Sequence, residues 1–451
     1  MCITSERKNA SDEALLGSLG CKTRGPNRAL LATLPATESP AHDSLQTMGT
    51  VTLRQGKARV GLWLAAALTI LCTAAVISTV VGREYASGDR PSADSRPVTV
   101  MTRNVYLGGS INRPIRAALE RSGREGVLAL GHANHRLREV VRRTDFATRS
   151  KLLAAEIVAT RPDLIGLQEV ALWRHGPMQL ERIGRPDATQ VDYDFLDILL
   201  KDLASRGVRY EIVHVQSLSD VEAPAFTGDP FTGTAGSAQD VRLTDRDVIL
   251  VRSEAGLRIE GSGGGQFSRH FDVRLLNTTF RFVRGYGWAD VAVGSARMRF
   301  VNTHLESQSS QLARAQAEEL LKGPAGNTSL PTVIACDCNS NPASPAARSA
   351  VPIGSGAAYR LITQNHGFTD LWLQQPARDG RGNTARLSEL VNDETADFAR
   401  RIDLVLARSA SPGQIVADRV EVTGDEPSDR DPTSQLWPSD HAGVVVELRI
   451  G

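Results

Sequence analysis

The sequence predicts an α/β domain in which β-sheets pack together and helices flank them. Short β-rich apolar runs outnumber the helical patterns, and the helical patterns are interspersed among them throughout. The sequence has no repeat at a fixed period and no second linker beyond residue 96, so residues 97–451 are interpreted as one domain.

The elements follow in order along this domain. Apolar residues recur at helical spacing in three segments, which predicts helices at 146–163, 194–207 and 309–323. Apolar runs bounded by polar or turn residues predict strands at 98–105, 164–170, 210–215, 247–252, 279–283, 289–293, 298–305, 331–338, 400–408 and 441–450. Glycines between the runs from 279 to 305 favour an antiparallel meander. The glycine-rich stretch 261–266 is interpreted as a flexible turn. Residues 223–233 are interpreted as an ordinary loop with two packed aromatics, Phe226 and Phe231, and a loop that touches a membrane is the alternative.

Composition limits the classes of protein to which the chain can belong. The chain has 451 residues, of which 41% are hydrophobic and 23% charged, with a formal net charge of +1. This is ordinary globular composition, sufficient for one large domain or two medium ones. The near-neutral balance gives no support for a protein that holds nucleic acid by bulk electrostatics.

Only two of the five cysteines, Cys336 and Cys338, lie in the predicted domain. That number excludes a disulfide framework, and a lone Cys-x-Cys pair supplies too few ligands for a structural zinc. Side chains alternate along a strand, so Asp337 and Asn339 are expected on one face and both cysteines on the other. We predict that the cysteines are buried packing thiols.

An apolar segment precedes the domain. Residues 60–82 carry no charge and are long enough to cross a bilayer as a helix, after a polar and basic leader at 1–59 that is predicted to be disordered. Basic residues before the segment predict a cytoplasmic N-terminus. A cleaved signal peptide whose apolar region ends near Leu71 is the alternative. Residues 97–451 would then be held outside the cell membrane or secreted, after a linker at 83–96, and Met48 is a candidate translation start.

Polar residues close six of the predicted strands. Any one of them is typical of a turn or a helix cap, but together they would converge at one edge of the packed sheets. The set combines hard oxygen donors with imidazoles, which suits Mg²⁺ or Mn²⁺ and metal-assisted hydrolysis of a phosphate ester. The residues are Asn104, Glu169, His304, Asp337, Asn339, Asp403, Asp440 and His441.

The ordered motifs "TRN", "LQEV", "NTHLE", D-x-N, "RRIDLVL" and "SDHAG" resemble the endonuclease/exonuclease/phosphatase superfamily. Its members include deoxyribonuclease I, apurinic-site endonucleases, neutral sphingomyelinases and inositol-polyphosphate 5-phosphatases. The resemblance runs from about Val98 to Leu448 and implies a deoxyribonuclease I-like, four-layer α/β/β/α sandwich of two packed, mostly antiparallel β-sheets. Cys336 stands where the family usually has glycine.

The resemblance also implies roles for the polar set. Asn104 and Glu169 would bind the metal, with Glu169 its chief ligand, and Asp440 would act on the metal side of the site. Asp403 would orient His441, which would serve as general base or stabilise the transition state.

Two further roles follow from the same resemblance. Asp337 and Asn339 would align the attacking water and the phosphate. His304 would contact a phosphoryl oxygen or assist the leaving group.

The predicted protein is therefore a divalent-metal-dependent phosphoesterase, monomeric and without an obligate protein partner, that meets the membrane through residues 60–82. Its substrate would be a phospholipid head group, a nucleic acid or a small phosphoester. The alternative is an inactive binding module on the same fold. A serine hydrolase is not supported, because the sequence lacks a Gly-x-Ser-x-Gly elbow.

The segment 106–145 is longer than the family pattern requires, and its apolar spacing predicts one or two extra helices. It is either a surface insertion or a lid that presents Arg113, Arg116, His132 or His135 to the substrate.

Overall fold

The structure is a computed structural model and describes residues 96–343, 355–375, 382–409, 411 and 414–451. The predicted leader, the apolar segment 60–82 and nearly all of the linker lie outside these residues. Within the described ranges, no helix has the length and apolar character needed to span a bilayer.

The elements mostly match the predicted segments, with differences at their ends. The helices are α1 (Asn112–Leu119), α2 (Gly123–Arg143), α3 (Phe146–Thr160), α4 (Phe195–Ser205), α5 (Ser310–Lys322) and α6 (Ala357–Arg360). The strands are β1 (Val98–Asn104), β2 (Leu164–Gln168), β3 (Leu172–Gly176), β4 (Gln190–Asp194), β5 (Tyr210–Phe226), β6 (Ala238–Arg252), β7 (Arg258–Gln266), β8 (Phe271–Leu275), β9 (Thr278–Phe282), β10 (Gly285–Val293), β11 (Ala296–His304), β12 (Thr332–Asp337), β13 (Thr369–Asp370), β14 (Asp403–Arg408), β15 (Ile415–Thr423) and β16 (Gly443–Ile450).

Two large mixed sheets form the domain. The first has the order β15-β16-β1-β2-β6-β3-β4, with β5 also paired to β6. The second has the order β13-β14-β12-β11-β10-β7. Parallel pairing joins β1 to β2 and β11 to β12, and the other described pairs are antiparallel. The predicted α/β fold with sheets flanked by helices is confirmed.

Three apolar cores lie between the layers of the domain and hold them together. Leu153 of α3 and Leu199 of α4 pack on the outer face of the first sheet. Val446 of β16 and Phe300 of β11 belong to the core between the two sheets. Leu320 of α5 lies in a third core, on the outer face of the second sheet. The layers therefore run helix, sheet, sheet, helix, which follows from strands that are apolar on both faces.

The predicted insertion forms both α1 and α2, and α2 packs against β5. The amide of Asn134 donates to the carbonyls of Ala223 and Pro224, at 2.9 and 3.1 Å. The prediction that Phe226 is packed is confirmed, since its ring is fully buried, although the residue ends β5 and does not lie in a loop. The prediction that Phe231 is packed is wrong, because its side chain is exposed.

The glycine-rich stretch 261–266 is not a turn but the second half of β7, paired with β10. Its glycines admit neighbouring side chains: a Cβ added at Gly264 would lie 2.2 Å from Nε2 of His214. The predicted meander is also wrong in part. Strands β10 and β11 pair as expected, whereas β9 pairs with β8 in a separate two-stranded sheet.

Candidate active site

Strand register places three of the predicted residues in one row. Parallel pairing of β11 with β12 sets His304 opposite Asp337, and antiparallel pairing of β12 with β14 sets Asp337 opposite Asp403. Directly paired residues project to the same face of a sheet, so the three side chains are neighbours. In the first sheet, Asn104 at the end of β1 pairs with Gln168, the last residue of β2.

A histidine–carboxylate pair lies at the Asp403 end of this row. Nδ1 of His441 lies 2.8 Å from Oδ2 of Asp403, which also accepts a 2.6 Å hydrogen bond from the Thr384 hydroxyl. Burial alone lowers the pKa of His441, but the nearby carboxylates, Asp403 foremost, raise it well above its usual value. The surrounding carboxylates therefore favour the charged form of the imidazole.

Asp337 joins this pair to the rest of the site. Its Oδ2 accepts from Nδ2 of Asn104 at 3.1 Å, and its Oδ1 accepts from the backbone N–H of Asn339 at 3.0 Å. Burial, followed by the charge of Asp403, raises the pKa of Asp337 to about 7. Asp337, Asp403 and His441 each offer one potential ligand atom, and these atoms lie within 4.8 Å of one another.

The three predicted metal ligands lie at the same edge, Asn104 as the last residue of β1 and Glu169 and Asp440 in loops. Glu169 follows β2 and accepts from the backbone N–H of Leu107 at 2.8 Å, while Oδ1 of Asn104 accepts from Tyr106 at 2.9 Å. Tyr106 and Glu169 have left-handed backbone, with φ of 61° and 59°. Such conformations in non-glycine residues occur preferentially at functional sites. Burial raises the pKa of Asp440 to about 6.

His304 is held by a residue that the sequence reasoning did not identify. Nη1 of Arg284 lies 2.8 Å from Nδ1 of His304 and 3.1 Å from a carboxylate oxygen of Asp245. A guanidinium has only donors, so Nδ1 accepts and the ring proton lies on Nε2, which is 3.3 Å from Oδ2 of Asp337. Burial and the positive charge of Arg284 hold the pKa of His304 well below its usual value.

Two buried arginines also position the site loops. Arg149 of α3 donates to the carbonyls of Thr144, Val105, Tyr106 and Pro438, and so ties the loop after β1 to the segment before Asp440. Arg103 of β1 bonds the backbone carbonyl of His441 and the carboxylate of Glu156. Their positions were not evident from the sequence, because arginine on a helix or strand is usually solvent-exposed.

The prediction that Cys336 and Cys338 are free thiols is wrong. They are buried, as expected, but the two sulfurs form a disulfide across Asp337. The alternation that places both cysteines on one face also brings their side chains close together. Asn339, with φ of 43°, turns away from the strand and donates to the carbonyl of Leu305 at 3.0 Å.

The start of the insertion 106–145 is bound to a loop beside the site by an ion pair and hydrogen bonds. Glu389 forms an ion pair with Arg113 and accepts from the backbone N–H of Ser110 at 3.0 Å. The hydroxyl of Tyr106 donates to the carbonyl of Glu389 at 2.8 Å. His132 lies elsewhere, with Nε2 2.8 Å from the carbonyl of Gly228. Of these predicted substrate contacts, Arg113 is near the site, whereas His132 contacts the segment that follows β5.

Several solved structures are similar to this chain at low sequence identity. The endonuclease/exonuclease/phosphatase from Bacteroides vulgatus is 15% identical with a TM-score of 0.45, over 79% of this chain and 100% of that one. A Bacteroides thetaiotaomicron mannosyl-6-phosphatase is 16% identical, with a TM-score of 0.45 over 78% and 99% of the two chains. D. rerio TDP2, complexed with a single-strand DNA product, is 13% identical with a TM-score of 0.43, over 78% and 99%.

Family membership does not depend on those likenesses, because a sequence model of the family matches directly. No curated protein matched the chain significantly. The matched region, residues 141–441, includes seven of the eight predicted site residues, all except Asn104. The chain therefore belongs to the Endonuclease/Exonuclease/phosphatase family, whose members are phosphoester hydrolases.

Proposed function

We propose that this protein is a divalent-metal-dependent phosphoesterase that hydrolyses a phosphodiester or phosphomonoester by attack of an activated water molecule. The observation that carries the proposal is the cluster of His441, Asp403 and Asp337, which joins a charged imidazole to two buried carboxylates. Asn104 extends this cluster from the other sheet through its hydrogen bond to Asp337.

The donor set fits a hard divalent cation such as Mg²⁺ or Mn²⁺. Oxygen atoms of carboxylates and amides predominate, and Oδ1 of Asp403 is buried without a hydrogen-bond partner. We propose Glu169 as the chief ligand, with Asn104 and Asp440 beside it. A bound cation would polarise a phosphoryl oxygen and lower the pKa of a coordinated water.

The remaining residues then act on water and phosphate. A carboxyl group with a pKa of about 7 is suited to proton transfer at neutral pH, so Asp337 would accept the proton of the attacking water. Protonated His441, oriented by Asp403, would place positive charge near the phosphoryl oxygens as the ester bond breaks. Of the two roles that the family resemblance implies for His441, we therefore propose stabilisation of the transition state and not that of general base.

Asn339 and His304 complete the set. The amide of Asn339, which donates to the carbonyl of Leu305 at 3.0 Å, would help to align the phosphate. Both ring nitrogens of His304 face protein side chains, Nδ1 that of Arg284 and Nε2 that of Asp337, so we propose that His304 positions Asp337 and Asn339 and does not itself meet the substrate.

We propose that the substrate is a phospholipid head group or a nucleic acid and that hydrolysis takes place outside the cytoplasmic membrane. The support is the apolar segment 60–82 and the basic residues before it. The segment would act as an anchor or as a cleaved signal, and the protein would work as a monomer.

The test is a panel assay of residues 88–451, the compact unit that contains the site. Bis-p-nitrophenyl phosphate, p-nitrophenyl phosphate, supercoiled plasmid and sphingomyelin would each be incubated with Mg²⁺, Mn²⁺ or EDTA. Turnover of the first compound with a divalent ion, and none with EDTA, is the expected result. Absence of turnover on every substrate with every ion would favour an inactive binding module.

A further inference from the structure

The loop that follows β1, residues 105–110, holds two of the proposed metal ligands through its backbone. The N–H of Tyr106 donates to Oδ1 of Asn104 at 2.9 Å. The N–H of Leu107 donates to the carboxylate of Glu169 at 2.8 Å. Groups that hydrogen-bond to metal ligands set the orientation of those ligands. The direction in which Asn104 and Glu169 point therefore depends on the conformation of this loop.

Buried side chains fix the carbonyls in the first part of the loop. Arg149 binds the first two of them. The indole Nε1 of Trp173 donates to the carbonyl of Leu107 at 2.9 Å. The hydroxyl of Thr144 donates to the carbonyl of Gly108 at 2.8 Å. These donors, which come from α3, from β3 and from the residue after α2, hold the loop as far as residue 108.

Glu389 holds the far end of the loop. Its carboxylate accepts from the backbone N–H of Ser110 at 3.0 Å, and its carbonyl accepts from the hydroxyl of Tyr106 at 2.8 Å. The carboxylate also pairs with Arg113, but these two side chains are 26% and 37% exposed, so solvent screens the ion pair and it contributes little. The hydrogen bonds to Ser110 and Tyr106 are therefore the main attachment.

The turn that carries Glu389 is itself well anchored. Ser388 donates to the carboxylate of Asp393 from its N–H at 3.0 Å and from its hydroxyl at 2.8 Å. Val391 packs with Trp437 in a small buried core, and the backbone N–H of Trp437 donates to the carbonyl of Val391 at 2.7 Å. A side chain on such a support can fix the position of a neighbouring loop.

The same segment also borders the other side of the site. The backbone N–H of Leu387 donates to the carbonyl of Asp440 at 3.5 Å, and Ala385 forms an isolated β-bridge with His441. Glu389 therefore joins the segment that contacts Asp440 to the loop that holds the other two proposed ligands.

We propose that Glu389 is a positioning residue for the metal centre. By holding Ser110 and Tyr106, it keeps the loop 105–110 in the conformation that directs Asn104 and Glu169 at the cation, which Glu389 itself does not touch. The inference rests on the ligand set of the proposed function. Loss of such an outer partner typically weakens metal binding by about 10- to 100-fold.

The affinity for Mn²⁺ tests this role. Full-length protein would be titrated with Mn²⁺ and the free ion followed by electron paramagnetic resonance. Glu389→Ala should bind Mn²⁺ at least about tenfold more weakly than the wild type. Glu389→Gln should lose much less, because its amide oxygen can still accept from Ser110. Glu260→Ala is the matched control: Glu260 pairs with Arg297 on β7, and its removal should leave the affinity unchanged.

Hydrogen–deuterium exchange in EDTA gives a readout that needs no metal. A peptide that covers residues 105–111 should exchange faster in Glu389→Ala than in the wild type, because the loop opens more often once its far end is released. Glu260→Ala should leave that exchange unchanged. Unchanged exchange in Glu389→Ala would show that Glu389 does not hold the loop and would overturn the proposal.

Three further outcomes decide the question. An unchanged Mn²⁺ affinity in Glu389→Ala would overturn the proposal even if the variant melted at a lower temperature, because a merely structural residue alters stability alone. An equal loss in Glu389→Gln would also overturn it, since the charge of Glu389 would then act on the ion directly. If Glu389→Ala does not fold, Tyr106→Phe removes the other hydrogen bond: weaker Mn²⁺ binding would support the role, and unchanged binding would overturn it.

Failure of this proposal and failure of the proposed function give different results. Hydrolysis of bis-p-nitrophenyl phosphate by the wild type, with unchanged Mn²⁺ affinity in Glu389→Ala, would remove the role of Glu389 alone. Weaker Mn²⁺ binding in Glu389→Ala, with no hydrolysis of any substrate by the wild type, would keep that role and remove the phosphoesterase. A wild type that binds no Mn²⁺ would overturn both.

Discussion

Asn104 and Asp337 lie in different sheets, 233 positions apart in the chain, and share a 3.1 Å hydrogen bond from amide to carboxylate. Asn104 ends β1 of the first sheet, and Asp337 ends β12 of the second. Both strands finish at the same edge of the stacked sheets, so this bond joins the predicted metal side of the site to the His441–Asp403 pair. Catalysis at the proposed site requires these two groups of residues to lie together.

We expect His441→Ala to lower turnover of bis-p-nitrophenyl phosphate by at least about a hundredfold, the usual scale for loss of an acid–base or charge-stabilising group. The physical reason is loss of the positive charge that Asp403 and its neighbours maintain on the imidazole. Steady-state kinetics would measure the change. His175→Ala is the control, since His175 pairs with Asp192 on β3 and β4, and near-normal rates for His441→Ala would refute the role.

Glu169→Gln should also reduce turnover by at least about a hundredfold, and should raise the Mg²⁺ concentration needed for half-maximal activity. The change removes the carboxylate charge but keeps an oxygen that can accept from Leu107. A metal titration of activity would show both effects. Glu260→Gln, on β7 and paired with Arg297, should change neither quantity. An unchanged metal dependence for Glu169→Gln would contradict its assignment as chief ligand.

Asp337→Asn should change how stability responds to pH in the metal-free protein. The carboxyl pKa rises from its usual 3.8 to about 7 on folding, so the folded chain holds a proton that the unfolded chain releases. Folding therefore becomes less favourable as pH rises between these values, and the variant is spared that loss.

Thermal melts in EDTA from pH 4.5 to 8 would measure this effect. The melting temperature of Asp337→Asn minus that of the wild type should increase with pH and level off above about pH 7. Asp272→Asn is the control and should show no such trend, because Asp272 lies on the partly exposed β8–β9 hairpin and pairs with Arg281. A difference that is flat or falls with pH would show that the carboxyl is not protonated in the folded protein.

Thr384→Val should disturb the positioning of Asp403, although Thr384 itself is not proposed to contact the substrate. The Thr384 hydroxyl donates to Asp403 at 2.6 Å and accepts from the backbone N–H of Asp403 at 3.1 Å. Valine has nearly the same shape, so the expected costs are about 1–3 kcal/mol of unfolding free energy from unsatisfied groups and roughly a tenfold loss of kcat. Chemical denaturation and kinetics would measure them. Thr232→Val, on an exposed turn, is the control, and an unaltered kcat in Thr384→Val would exclude the positioning role.

The bond between Cys336 and Cys338 predicts a simple chemical result. In denaturant without reductant, iodoacetamide should modify neither cysteine, and after treatment with dithiothreitol it should modify both. Peptide mass spectrometry would measure the labelling of the fragment that contains Asp337. Full labelling without reductant would show that both cysteines are free thiols, as the sequence predicts.

Much of the candidate site was predictable because its residues recur in a fixed order of motifs. Alternation placed Cys336 and Cys338 on one face of the strand, but it did not place Asn339, which lies beyond the end of β12. Arg149, Arg284 and Thr384 could not be found in this way, since each acts through contacts with segments far away in the chain. Asp245, which pairs with Arg284, escaped notice because an acid on an apolar strand does not reveal which face is buried.

By itself, the sequence determined the local elements and the chemical types at their ends, since apolar periodicity selects helix or strand and polar residues mark where a strand stops. Only the tertiary structure decided the register that aligns His304, Asp337 and Asp403, the disulfide at Cys336, and the exposure of Phe231. The reason is physical: pairing, close packing and desolvation depend on which distant segments meet, and a linear pattern carries that information only indirectly.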